Sequence, residues 1–485
     1  MIEVLSITSE IYPLVKTGGL ADVAGALPGA LARHGINVRT LVPGYPQVME
    51  ALGKGRVVAE FDDLWGGPAR LLAGAAKDLE LIVIDAPHLY MRDGGPYLQA
   101  DGKDWPDNWA RFAALSWVGA ELARGLVDGY RPQIVHAHDW TAAMSAAYLK
   151  FGPPTDVKSI VTIHNLAFQG QFDAHIFDDL RLPPHAFSME GVEYYGGVGF
   201  LKAGLLSADI LTTVSPTYAC EVRTSDYGMG LEGLLTSRVD DLFGILNGID
   251  TEVWNPGTDP MLKANYRTNT AHLRIENKHA VEERFGLEAG EGPLFGVVSR
   301  LTWQKGIDLL VETIDDLVAQ GGRLAVLGSG EPGLEAALTA AAERHPGKVG
   351  IIIGYDEALS HLMQGGLDAL LVPSRFEPCG LTQLFGLRYG CVPVVSRVGG
   401  LSDTVIDANE AALDAGVATG VQFFPVTAMA LAEAIKRTIV LFGSQKIWKK
   451  IQRRGMKSEV SWDASAARYA ELYTKLVGQA PDDDN

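Results

Sequence analysis

The sequence predicts an α/β chain of two doubly wound domains. Short continuous apolar runs alternate with longer amphipathic ones in both halves of the chain. Continuous rather than alternating apolar runs mark strands buried on both faces, as in parallel sheets covered by helices. The third observation is length: 485 residues exceed the ~250–300 that a single core organises.

In the first half, residues 4–8, 39–42, 81–84, 134–136, 159–163 and 210–214 read as strands, and 22–34, 108–126, 141–151 and 199–206 as helices. In the second half the strands are 294–299, 323–327, 349–353, 369–372 and 392–396. The helices there are 307–320, 332–345, 358–364, 381–390, 429–442 and 447–456. The stretch ILNGIDTEVWNPG at 245–257, rich in Asn, Gly and Pro, is the expected break. The division is thus 1–245, 246–456 and a last segment, 457–485, made of one helix and the acidic tail PDDDN.

Charge narrows the partners. Lys and Arg number 41 against 59 Asp and Glu, a net −18. A nucleic-acid binder needs a broad basic surface, and an anionic membrane repels an acidic one, so neither is expected as a partner. No apolar run reaches the ~18 residues of a membrane span, and the N-terminus lacks the pattern of a signal peptide. The expectation is a cytoplasmic protein. Three cysteines, Cys220, Cys379 and Cys391, make no disulfide framework and no C-x-x-C zinc site. The 55 glycines show no period, so tight loops are expected where backbone approaches a ligand.

Four segments join a strand to a helix with chemistry in the turn. KTGGLADV at 16–23 places Lys16 before Gly18 and Gly19, with Asp22 in the first turn of the helix. The glycines allow close approach, and the helix start presents N–H groups to an anion. SRLTWQKG at 299–306 brings Arg300 and Lys305 to a strand end, two cations suited to a diphosphate. SRFEPCGLTQ at 374–383 offers Glu377 as an acceptor for sugar hydroxyls and N–H donors at Gly380, Leu381 and Thr382. Cys379 in that turn has no partner base that marks it as a nucleophile. TIHNLAFQG at 162–170 brings His164 and Asn165 to the same sheet edge as Lys16. Each segment alone also fits an ordinary strand–helix turn with solvated charges.

HAHDW at 136–140 sets His136 and His138 on one strand face and Asp139 at its end. No third ligand cluster completes a metal site, so Asp139 is read as a sugar-binding carboxylate. GSGEPG at 328–333, with Asp356 and Glu357 downstream, matches a dinucleotide fingerprint. It follows the second strand of its domain, whereas that fingerprint opens the first βα turn. A P-loop, a G-x-S-x-G elbow and an H-E-x-x-H helix are all missing, and D-x-D occurs only in the tail. No metal and no cofactor are expected, and leaving-group charge falls to Lys and Arg.

Taken in order, KTGGLADV, HAHDW, TIHNLAFQG, NGIDTEVWNP, SRLTWQKG and PSRFEPCGLTQ resemble the bacterial glycogen synthase and plant starch synthase family along about the whole chain. The resemblance implies a GT-B fold of two Rossmann-like domains facing a deep cleft, with a final helix crossing back to the first domain. It implies transfer of glucose from ADP-glucose to the non-reducing end of an α-1,4-glucan, with retention of configuration. By motif, Lys16, His164, Arg300, Lys305 and Glu377 would be the catalytic set. Gly18, Gly19, Asp22, Tyr97, Asp139, Asn165, Asn247, Tyr355, Cys379, Gly380, Leu381 and Thr382 would contact substrate, with Tyr355 stacking on adenine. Many related retaining enzymes carry a second glutamate eight residues after the first, where this chain has Phe385. Three other readings compete: a UDP-glucose transferase, a non-catalytic glucan or nucleotide-sugar binder, and the dehydrogenase suggested by GSGEPG.

Overall fold

A computed structural model describes residues 1–478; the acidic tail read at 481–485 lies outside the described residues. The chain divides into two compact units, Met1–Asn247 with the segment from Trp462 onward, and Gly248–Ser461.

The first unit is built on a nine-stranded sheet. Its order across the sheet is Leu242–Gly244, Ile210–Thr213, Lys158–Ile163, Ile134–His138, Ile2–Ile7, Ile36–Pro43, Leu79–Asp85, Ala69–Ala76, Arg56–Phe61. The first seven of these are parallel. Chain order reverses between Ile2–Ile7 and Ile134–His138, which pair directly, Val4 opposite Ile134. Loops beyond the carboxyl ends of two such strands diverge and leave a crevice. The last two strands pair antiparallel, with a bulge between Val57 and Ala59. They escape the apolar-run pattern because one is half-exposed and the other is rich in Ala and Gly. A small sheet of Gln171–Phe172, Gly197–Gly199 and Glu193–Tyr194 is inserted before the helix Phe200–Ser207.

The second unit has six parallel strands in the order Val349–Ile353, Arg323–Gly328, Leu294–Val298, Ala369–Val372, Val392–Ser396, Val421–Phe423. Numbered along the chain this is 3-2-1-4-5-6, the doubly wound order of dinucleotide-binding sheets. Its reversal lies between Leu294–Val298 and Ala369–Val372, where Phe295 faces Ala369.

The helix Trp462–Leu476 belongs to the first unit although it ends the chain. Trp462, Ala466, Tyr469 and Tyr473 pack against Ile2, Val4, Val23, Leu27, Ile134 and Ile160. Its Ser465 Oγ donates to the Leu246 carbonyl at 2.5 Å. Just before it, the Ile249 N–H donates to the Val460 carbonyl at 2.8 Å, tying together the two chain segments that border the unit boundary. Among the described residues no helix is long and apolar enough to cross a membrane.

Tyr469 and Tyr473 are fully buried. Truncating either to Ala leaves a cavity the size of a ring, costing about 3–5 kcal/mol. Tyr473→Phe removes one hydrogen bond to His136, costing about 1 kcal/mol. Calorimetry should show a large fall in melting temperature for the two alanine variants and a small one for Tyr473→Phe.

Candidate active site

In the first unit the reversal point gathers the loops after Ile2–Ile7 and Ile134–His138. The first leads into the helix Gly19–Ala32, whose N-cap is Gly18 in extended conformation. Lys16 Nζ donates to Asp22 Oδ1 at 2.8 Å and lies over the Tyr12 ring, 5.2 Å from its centroid. The loop is held from beneath by Glu10, which sequence reading missed. Glu10 Oε2 accepts from the Gly18 N–H at 3.1 Å and from the Thr17 N–H. Its other oxygen accepts from the Tyr97 hydroxyl, which also shares a hydrogen bond with Ser9 Oγ at 2.9 Å. Burial raises the Glu10 pKa, opposed by these donors. Tyr97 therefore acts first as a support for Glu10. The sequence signal was present only as the Glu in TSEIYP, eight residues before Gly18.

The second loop begins at Asp139, a non-glycine residue at φ +61°. Its carboxylate accepts from the Trp140 N–H at 3.2 Å and from the Asn165 N–H, and it is buried. Burial drives its pKa well above the usual range. Asp139 thus caps the helix Trp140–Phe151 and ties it to the His164–Asn165 turn. Asn165 itself turns its Oδ1 to the Ala167 N–H at 3.1 Å.

The three histidines form a buried row. His138 Nδ1 and His164 Nε2 share one hydrogen bond at 3.0 Å. The His136 and His138 rings lie 4.2 Å apart. His136 contacts the Tyr473 hydroxyl at 2.7 Å and Thr162 Oγ1 at 2.5 Å. Burial lowers all three pKa values, to about 4 for His138. They are neutral at pH 7, so each ring carries one proton, and one ring of the His138–His164 pair donates its N–H to the bare nitrogen of the other. Among the described residues no group of three or more His, Cys, Asp or Glu is placed to hold a metal. Asn247, the last residue of this unit before the boundary, buries its Oδ1 without a hydrogen-bond partner among the described residues.

In the second unit, both loops at the reversal point carry predicted residues. Lys305 Nζ donates to Glu377 Oε2 at 2.5 Å, and Ser374 Oγ donates to the same oxygen at 2.9 Å. Both charged side chains are mostly buried. Glu377 Oε1 has no partner among the described residues, so one carboxylate oxygen is left to accept a hydroxyl. Arg375 locks the two loops by a bidentate pair with Asp308, 2.7 Å at each contact, and lies over Trp303. Arg300 is exposed at the strand end. Gly306 sits at φ +66°, and a Cβ there would lie 2.0 Å from the Pro373 carbonyl.

The turn 377–381 is closed by Gln383, whose Nε2 donates to the Cys379 and Gly380 carbonyls at 3.0 and 2.9 Å. Gly380 is left-handed at φ +75°, Leu381 is the N-cap, and Thr382 opens the helix Thr382–Tyr389. Cys379 is buried, and a Cβ on Gly400 would approach its Cα to 2.5 Å. Cys379 therefore contributes backbone and packing at this turn. Tyr355 is 80 % exposed just past Val349–Ile353.

The glycines of GSGEPG serve the neighbouring loop. A Cβ on Gly328 would meet the Ser299 carbonyl at 1.9 Å, and one on Gly330 the Leu301 carbonyl at 2.2 Å. The Leu301 N–H donates to the Ser329 carbonyl and the Trp303 N–H to Glu331 Oε1. The GSGEPG turn seats the backbone that carries Arg300. Asp356 caps the helix Glu357–Gly366 by accepting from the Leu359 N–H.

Two doubly wound units, each with a lysine paired to a carboxylate at its switch point, have the architecture of the GT-B class. The starch synthase catalytic domain profile matches residues 3–237, and that of glycosyl transferases group 1 matches 281–454. Glycogen synthase 1 of Rhizobium meliloti (strain 1021) is 59 % identical, with 98 % of this chain and 99 % of the relative covered. Glycogen synthase of Novosphingobium aromaticivorans is 58 % identical, with 99 % of each covered. The catalytic domain of starch synthase IV from Arabidopsis thaliana, solved with ADP and acarbose, superposes with a TM-score of 0.87 at 31 % identity, covering 99 % of this chain and 100 % of that one. The chain belongs to the glycogen and starch synthase family of glycosyltransferases.

Two predictions follow from the first unit. Glu10→Ala removes the acceptor of the exposed Thr17 and Gly18 N–H groups, at about 1 kcal/mol for each hydrogen bond, whereas Glu10→Gln keeps an acceptor. Calorimetry should rank the melting temperatures wild type ≥ Gln > Ala. The histidine row makes the fold acid-sensitive. The unfolded histidines take up protons near pH 6.5, while the folded ones resist, so their contribution is full above 6.5 and is lost as pH falls toward the folded values. The buried carboxylates Glu10 and Asp139 act in the opposite sense, so the variant difference is the informative quantity. Urea unfolding between pH 6.5 and 4 should show a slope shallower in His138→Asn than in wild type by about 1.4 kcal/mol per pH unit.

Proposed function

We propose that the chain transfers glucose from ADP-glucose to the non-reducing end of an α-1,4-glucan with retention of the α configuration, releasing ADP. The observation that carries this reading is the Lys305–Glu377 pair at the second unit's reversal point. A cation and a half-used carboxylate stand together there, as a diphosphate joined to a sugar requires. The names of the two relatives, both glycogen synthases, and the ADP in the starch synthase IV structure support the donor and product.

As the glucose–phosphate bond breaks, positive charge builds at the anomeric carbon and negative charge on the departing ADP. Arg300 and Lys305, with the N–H groups at Gly380–Thr382, stabilise the second without reorganising. Glu377 Oε1 accepts a donor hydroxyl, and Lys16 with Gly18 and Gly19 supplies the first unit's donor contact. His164, kept neutral, places a polarisable group near the anomeric carbon without competing positive charge. Asp22, Asn165 and Asn247 are read as sugar contacts and Tyr355 as the adenine platform.

Retention follows from attack on the face that the phosphate leaves, the phosphate taking the acceptor's proton. A covalent double displacement needs a free carboxylate nucleophile. Asp139 is turned to backbone N–H groups, and the one oxygen of Glu377 not bonded to Lys305 and Ser374 is taken up in this reading by a donor hydroxyl, which favours the same-face route. A trapped glucosyl adduct on either carboxylate would overturn it.

Initial rates of ADP release with ADP-glucose and glycogen test the assignment. Arg300→Ala and Lys16→Ala should each lower kcat by about 10²–10³ with circular dichroism unchanged. UDP-glucose should be the poorer donor. Near-normal turnover in both variants, or faster reaction with UDP-glucose, would refute it.

A further inference from the structure

The helix Thr382–Tyr389 has only eight residues, and its N-cap, Leu381, makes no side-chain cap. An uncapped start leaves its N–H groups to a ligand, but it also leaves no local lock on where they point. So short a helix is held by tertiary packing rather than by its own cooperativity. Leu384 and Leu387 are buried against Ile249 and Val460. Phe385 stacks on Trp254, centroids 3.6 Å apart and planes at 13°. His361 stacks on the same indole at 3.7 Å and 13°. Two rings this near and this parallel to one centroid lie on its opposite faces.

His361 belongs to a different helix, Glu357–Gly366, which starts two residues after Tyr355 and is capped by Asp356. Asp259 makes a second tie between the same two helices. Its Oδ2 accepts from His361 Nδ1 at 2.7 Å and from the Tyr389 hydroxyl at 2.5 Å. Asp259 and His361 are both buried. Arg388 Nε also donates to the Trp254 carbonyl at 3.3 Å. All of these residues lie within the second unit. The carboxylate bridge limits how far the two helices can part, and the indole between them limits how near they can come.

The two helices begin at the two ends of the donor site, Tyr355 for adenine and Gly380–Thr382 for the diphosphate. We propose that Trp254 is a positioning residue for the donor nucleotide: its indole, clamped between His361 and Phe385, sets the spacing of the adenine platform from the phosphate-facing turn. This role rests on the functional reading that places the donor there. A ligand held at two subsites gains from both only when their spacing matches its length, and a misplacement of about 1 Å can cost roughly 10²-fold.

ADP bridges both subsites, whereas pyrophosphate reaches only the turn, so the pair separates lost spacing from general loosening. The test is initial rates of ADP release from ADP-glucose and glycogen, with ADP and pyrophosphate as inhibitors. Trp254→Leu should raise KM for ADP-glucose and the inhibition constant of ADP at least about tenfold. KM for glycogen and the inhibition constant of pyrophosphate should stay within about twofold of wild type. Trp254→Phe keeps a flat ring in the stack and should recover most of the loss. Phe385→Leu opens the same stack from the other side and should weaken ADP against pyrophosphate in the same sense, which keeps the test decisive if circular dichroism shows Trp254→Leu unfolded. Equal weakening of ADP and pyrophosphate in the folded variants, or unchanged constants for ADP, would overturn the role of Trp254 alone. A wild type that neither releases ADP from ADP-glucose nor is inhibited by ADP would overturn the functional reading and this role with it.

Discussion

A cation meant for a phosphate has to be held ready before the phosphate arrives, and here each candidate lysine is held by a carboxylate. Lys16 rests on Asp22 at 2.8 Å and Lys305 on Glu377 at 2.5 Å. The second pair is mostly buried, where an unpaired charge would be costly and a paired one is held in a single geometry. Ser374 fixes the shared Glu377 oxygen. The Arg375–Asp308 pair keeps the two loops from separating. Arg300 differs, being exposed and carried on backbone seated by Gly328 and Gly330.

The fold supplies the place for these pairs. Both units reverse strand order between their first and fourth parallel strands, so each opens a crevice at the carboxyl edge. Every loop given a catalytic residue emerges at that edge. Beneath the first unit's loops lies a layer of neutral or carboxylate groups, Glu10, Tyr97, Asp139, His138 and His136, whose partners are largely backbone N–H groups or one another. That layer stiffens the loops that carry Lys16 and His164. The terminal helix completes the layer through Tyr473, so a segment distant in sequence supports the row that contains His164.

Much of this was legible in the residues. The central parallel strands and the loops that bear Lys16, Arg300, Lys305 and Glu377 follow from apolar runs and glycine placement, as does the helix read from 381, which starts at Thr382; the helix read from 22 starts three residues earlier, at Gly19. What escaped has physical causes. The helix Arg274–Arg284 hides its buried face because Arg274 and Asn277 fill it, hydrogen-bonded to the carbonyls of Gln364, Leu367 and Ala264. Glu10 gave no signal because its partners are main-chain N–H groups, which no side-chain motif reveals. Gln383 was quoted within a motif, yet its part in closing the turn needs the positive φ of Gly380 to be seen. Phe385, eight residues after Glu377, stacks on Trp254 with centroids 3.6 Å apart, and Trp254 stacks in turn on His361. An aromatic there anchors the Thr382–Tyr389 helix to the segment after the unit boundary, a role invisible to motif comparison.

The most direct measurement is proton NMR of the reaction with ADP-glucose and glycogen, following the anomeric signals while ADP is quantified. One new α-1,4 linkage should appear for each ADP released, with no β-linked product at any time. ADP release without chain growth, or a β-anomeric product, would contradict retaining glucosyl transfer by this site.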